Sequence, residues 1–181
     1  MRKIYFRFFT IADYEEEEAW LREQNNRGWS LVNCVPPGFY TFESCRPQDV
    51  IYRLDYKNRQ PDTDYLRMAE DYGWEYLGQM VGWLYFRRPA DSAGDPAEEE
   101  LFSDSASKAQ MAEQIVKTRL VPIAVIFLCC VVPNLLNSMS GRLGMLSDIF
   151  AVIFGVMFVI YVYLIVHCGL KLKAIRDRYQ D

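Results

Sequence analysis

The chain has 181 residues, of which 51% are hydrophobic and 15% aromatic, with 20 Lys and Arg against 24 Asp and Glu for a formal net charge of -4. This length allows one domain or two small ones, and the acids are concentrated: residues 1-118 hold 14 basic and 21 acidic side chains, net -7, whereas 119-181 hold 6 and 3, net +3. An acidic N-terminal part argues against nucleic-acid binding, and a single histidine, His167, leaves little for histidine-based catalysis.

In chain order, residues 2-9 (RKIYFRFF) alternate well enough for a strand. Tyr14 to Asn26 (YEEEEAWLREQNN) is expected to be a helix, with acids in its first turns where the macrodipole favours them, Asp13 as N-cap, and Trp20 and Leu21 gluing it to a sheet. Gly28 sits where such a helix takes a left-handed terminator. The stretch Arg27 to Glu43 (RGWSLVNCVPPGFYTFE) then has a counterpart in Tyr72 to Arg88 (YGWEYLGQMVGWLYFRR). Both begin Gly-Trp, and both reach a second glycine followed by an aromatic residue and a phenylalanine three positions further on. A strand precedes each helix as well: KIYFRFF before the first, and VIYRLDY (Val50 to Tyr56) before the second, Asp64 to Tyr72, which ends at Gly73.

The predicted unit is therefore strand, helix, strand, strand, written twice in residues 2-43 and 49-87. Neither unit buries both faces of a sheet alone. The economical arrangement is an α+β domain over residues 1-88, a duplicated β-α-β-β built as one ferredoxin-like-related sheet with two helices on one face. Trp29, Trp74 and Trp83 are expected in its core.

Residues 89-104, beginning PADSAGDPAEEE, read as an acidic linker, and 105-119 as a juxtamembrane helix. Two uncharged apolar runs follow, Leu120 to Leu136 and Ile149 to Leu170. About 20 residues cross the hydrocarbon core, so 120-139 and 149-170 are expected to be transmembrane helices joined by an external loop, 140-148, and followed by a basic tail, 171-181. Lys108, Lys117 and Arg119 precede the first span and Lys171, Lys173, Arg176 and Arg178 follow the second, while the loop has only Arg142 as a cation. By the positive-inside rule both termini are cytoplasmic and the protein is integral to the inner membrane. The first thirty residues lack a signal-peptide pattern. In a reducing compartment Cys34 and Cys45 are expected as free thiols.

No nucleophile-base pair, P-loop, GxSxG or GxGxxG occurs, and the absence of CxxC leaves little basis for a metal. The expectation is a non-enzyme without cofactor. The constellation that stands out is Arg53 and Asp55 in IYRLDY, on the strand face opposite Tyr52, Leu54 and Tyr56. With Arg7 on the same surface, these residues would set cations among aromatics, suited to an anionic or aromatic ligand or a partner's acidic segment. A register-fixing cross-strand ion pair is the structural alternative.

The order of an aromatic-basic strand, an acidic helix, Gly-Trp, YTFE, IYRLDY, a second helix, Gly-Trp-Glu, WLYFRR and ELFSD (Glu100 to Asp104) before two spans resembles a bacterial family of unknown function, number twenty-eight twelve. The resemblance covers nearly the whole chain, with IYRLDY and ELFSD its most specific part. It implies a small membrane-anchored protein, often encoded near PadR-like regulators, and carries no catalytic residue. The function expected is a cytoplasmic sensor or adaptor binding a membrane protein, itself or a small ligand; the alternative is an accessory subunit acting through its spans.

Overall fold

The computed structural model describes residues 1-57, 60-92, 105-139 and 145-180. The chain divides into two compact units, Met1–Asp104 and Ser105–Asp181, each described by itself. The acidic residues 93-104, ELFSD among them, and loop residues 140-144 lie outside the described residues.

The first unit is α+β and runs β1 (Arg2–Phe6), α1 (Tyr14–Asn26), β2 (Trp29–Val35), β3 (Phe39–Ser44), β4 (Val50–Tyr56), α2 (Thr63–Asp71), β5 (Glu75–Met80), β6 (Trp83–Pro89). The β-α-β-β order thus occurs twice. Instead of the single sheet expected, the strands form two antiparallel three-stranded sheets with matching orders, β1-β3-β2 and β4-β6-β5. The correspondence extends to detail. Each middle hairpin has a register shift three positions after its Gly-Trp tryptophan, between Leu31 and Asn33 in one sheet and between Tyr76 and Gly78 in the other. Lys3 lies opposite Phe42 in the first sheet and Arg53 opposite Phe86 in the second, so Ile4 and Leu54 occupy equivalent positions. Gly28 and Gly73 end the two helices at φ +84° and +80°, a region glycine enters without Cβ strain.

The two helices lie on opposite faces of the second sheet, a further departure from the expected single layer. Ile51, Leu84 and Phe86 on one face enclose a cluster with Trp74 and Ala69, flanked by Tyr65 and Leu66 of α2. The other face meets α1, with Tyr14 stacked on Trp83 and the Tyr52 hydroxyl bonded to Asn25. Farther round the same buried stripe of α1, Trp20 sits edge-on to Tyr40 and Phe42 of the first sheet. Helix α1 therefore lies with one buried face across both sheets, and α2 covers the far face of the second sheet. The reason is the pattern of β6: Trp83 and Tyr85 on one face and Leu84 and Phe86 on the other are all buried. A sheet apolar on both faces needs a helix on each. Trp74 and Trp83 are core residues, whereas Trp29 is half-buried beneath the Lys3 ammonium.

Asp13 stands at the N-cap of α1, but its carboxylate accepts from the Thr10 amide and hydroxyl instead of capping the helix. Asp62 caps α2 through the Asp64 amide.

The second unit is helical: α3 (Ser105–Ile115), a π turn (Val116–Leu120), α4 (Val121–Ile126), a second π turn (Phe127–Val131), α5 (Val132–Met139) and α6 (Met145–Gln180). Two stretches, Lys108–Ser138 and Asp148–Arg178, are long and apolar enough to cross a membrane. They pack through Phe127 against Phe158 and Tyr161, and His167 stacks on Tyr163.

Candidate functional site

Helix α1 carries four consecutive glutamates, and its amphipathic geometry gives them different fates. Glu17 turns inward, 4% exposed, and accepts hydrogen bonds from Tyr40 of the first sheet at 2.7 Å and Tyr85 of the second at 2.5 Å. One carboxylate thereby ties both sheets to α1. Burial pushes the Glu17 pKa up, against the lowering effect of the two hydroxyls. Burial, with the Glu17 charge beside it, also pushes the Cys34 thiol up to about 12.

Glu18 turns to β4. Its Oε1 accepts the Leu54 amide at 2.7 Å and its Oε2 meets Arg53 Nη1 at 3.2 Å, while the same Nη1 donates to the Tyr52 carbonyl. Arg53 and Asp55 share a strand face as the alternation requires. Across the ladder they face Phe86 and Leu84, and their partners come from helices: Glu18 of α1 for Arg53, Tyr65 of α2 for Asp55, with Lys57 also near Asp55. These contacts clamp β4 to both helices. Arg7 follows β1 and lies over Phe9 and Trp20, at 4.9 and 5.2 Å from the ring centres. It belongs to the first sheet and Arg53 to the second, so the structure does not set the two cations on one sheet surface.

A cleft lies near the junctions that follow the two Gly-Trp pairs. Its volume is about 360 Å³, and it is lined by Asn25, Ser30, Cys45, Arg46, Gln48, Val50, Gly73, Glu75, Arg87 and Pro89. Ser30 and Glu75 are equivalent positions, each following its tryptophan. Arg87 of β6 bridges them, with Nε and Nη2 on the Glu75 carboxylate at 2.7 and 2.8 Å and Nη1 on Ser30 Oγ at 2.6 Å. The far wall is fixed to α1 by Asn25 Nδ2 on the Gln48 carbonyl and by a two-point Arg22–Asp49 pair, which holds the Asp49 carboxyl below its usual range. Arg46 is exposed at the rim. With Glu75 paired to Arg87, the lining keeps one net positive charge, Arg46, in an acidic unit.

Sequence reasoning singled out Arg53 and Asp55 and missed this cleft. The signal was present in the repeat itself, since two Gly-Trp copies in equivalent places bring the following residues, Ser30 and Glu75, to one junction. Among the described residues no three His, Cys, Asp or Glu side chains converge on a metal-binding arrangement.

A small α+β unit with a polar cleft, followed by a pair of span-length apolar helices, defines the class of this protein. The chain belongs to the family described as "Protein of unknown function (DUF2812)", whose model matches residues 13–124, well over half of it. The match contains IYRLDY and ELFSD and runs into the first apolar helix. No curated protein and no solved structure matches the chain.

Proposed function

We propose that the protein is a non-catalytic sensor or adaptor held at the cytoplasmic face of the inner membrane by its helical hairpin, and that the cleft at the repeat junction binds a small anionic ligand. The observation that carries this reading is the Arg87 bridge between Ser30 and Glu75, with Arg46 beside it as the cation not spent on Glu75. A ligand there touches both halves of the domain at once, so binding shifts the balance between them. The matched strand orders and bulges support an origin by duplication, and flanking charge supports cytoplasmic termini.

The test uses the full chain purified in detergent. Thermal unfolding is followed with millimolar inorganic phosphate, citrate or a mononucleotide, in wild type and Arg46→Ala. The expected result is an upward shift for at least one anion in wild type that Arg46→Ala loses. No shift with any of them contradicts the proposal.

A second reading, an accessory subunit acting through its spans, draws support from the π turns at Val116–Leu120 and Phe127–Val131, since such turns recur at functional sites in helices. Co-purification of a stoichiometric membrane protein that is lost when the π turns are removed would favour it.

A further inference from the structure

The four sheet edges of the α+β unit are treated unequally. The edge of β4 is closed by Glu18 and Arg53, which take the Leu54 amide and the Tyr52 carbonyl. β2 and β5 each carry the bulged register described above, a device that spoils edge pairing. β1 has neither. All five of its residues, Arg2 to Phe6, are exposed, and its pairing with β3 runs without a register shift.

The ladder fixes which backbone groups this edge offers. The Met1 carbonyl accepts from the Ser44 amide and the Arg7 amide donates to the Gly38 carbonyl, so the odd residues of β1 turn their hydrogen-bonding groups toward β3. The amides and carbonyls of Arg2, Ile4 and Phe6 therefore point outward. Ile4 is the equivalent of Leu54, but among the described residues no carboxylate reaches its amide. On the sheet face turned away from α1, Ile4 is 69% exposed, Phe6 61% and Phe39 43%.

We propose that a second copy of this chain pairs with β1, antiparallel and edge to edge, about a twofold axis through Ile4. In that register every bonding residue is one whose groups already point outward: Arg2 meets Phe6 of the other copy, and Ile4 meets itself. No like charges are opposed, since Arg2 lies across from Phe6 and Lys3 across from Tyr5, a pairing of cations with aromatic rings on both faces. Ile4 and Phe6 of both copies form one apolar strip, and a twofold contact of this kind closes on itself and uses up the edge. A lipid surface is the competing occupant of the apolar face. Arg2 on that face is paired with Glu43 at 2.5 Å, so the face carries no surplus cation to draw it to anionic lipid.

The experiment uses the full chain in detergent or native membranes. Opposed bonding residues in such a pair have Cα atoms about 5.5 Å apart, within disulfide reach, so Ile4→Cys should oxidise to a covalent dimer whose linked peptide joins residue 4 to residue 4. Val81→Cys, exposed in the β5–β6 turn, should do so at least tenfold more slowly. Ile4→Pro removes only an outward amide, and should abolish the dimer in sedimentation while circular dichroism stays native. The proposal is overturned if folded Ile4→Cys protein remains monomeric or if Val81→Cys links as fast. A spin label at residue 4 that is shielded in a monomer also overturns it, and assigns the face to lipid or to another part of the chain.

Discussion

The Glu18 carboxylate accepts the Leu54 amide at 2.7 Å, so one side chain of α1 closes the open edge of a strand 36 residues away. Its second oxygen holds Arg53, whose side chain is 21% exposed against 12% for Glu18. Glu18→Ala leaves a backbone amide and a partly buried guanidinium without this acceptor. The expected loss is about 2–3 kcal/mol, with Arg53→Ala costing about 1–3 kcal/mol. Tryptophan-monitored unfolding of the full chain should show the double substitution costing less than the two single losses combined. Strict additivity would mean that the two side chains do not act together.

Glu17 makes stability depend on pH. Its pKa is raised in the folded protein by burial, so between the ordinary glutamate value and this raised one the folded state binds more protons than the unfolded state. This contribution is present in full below the ordinary value and is lost as pH rises through the raised one. Wild-type protein should therefore show a fall in stability over that interval. Glu17→Gln keeps an acceptor for Tyr40 and Tyr85 and should flatten that part of the profile. An unchanged slope in the variant would place the titration elsewhere.

A Cβ on Gly38 would stand 2.3 Å from the Arg7 carbonyl, at a backbone φ of +155°. Gly38→Ala must shift the end of β1 away from the turn and should cost about 2 kcal/mol or more. Gly155→Ala in α6, where a Cβ meets nothing within 4 Å, should be close to neutral. Thermal unfolding of both variants checks the contrast.

The two thiols of the α+β unit should differ in reactivity. Cys34 has its pKa pushed up to about 12, whereas Cys45 is exposed. At neutral pH a maleimide should modify Cys45 and leave Cys34 intact until the protein unfolds. Early modification of Cys34, read by peptide mass, would contradict its raised pKa.

Much of the architecture was legible because it rests on local chemistry. Gly28 and Gly73 mark helix ends, Tyr52, Leu54 and Tyr56 alternate with Arg53 and Asp55, and the uncharged runs of the second unit are long enough to span a bilayer. What sequence could not settle was partnership at a distance. Glu15 to Glu18 read as acids favoured by the helix dipole, yet Glu17 is buried against two tyrosines and Glu18 closes a strand. The two helices take opposite faces of the second sheet because β6 is buried on both faces, where a single layer was expected. Arg87 gave no local signal, because its partners Ser30 and Glu75 come from different repeats.

The central claim is an α+β domain held at the cytoplasmic face by a two-span hairpin, and thiol labelling tests it most directly. In intact cells expressing the full chain with Cys129, Cys130 and Cys168 replaced by alanine, a membrane-impermeant maleimide should leave Cys45 unmodified until the membrane is permeabilised. With Cys45 replaced by serine, a cysteine introduced at Gly144 should be labelled without permeabilisation. Labelling of Cys45 in intact cells, with Gly144→Cys protected, would place the domain on the other side and contradict the account.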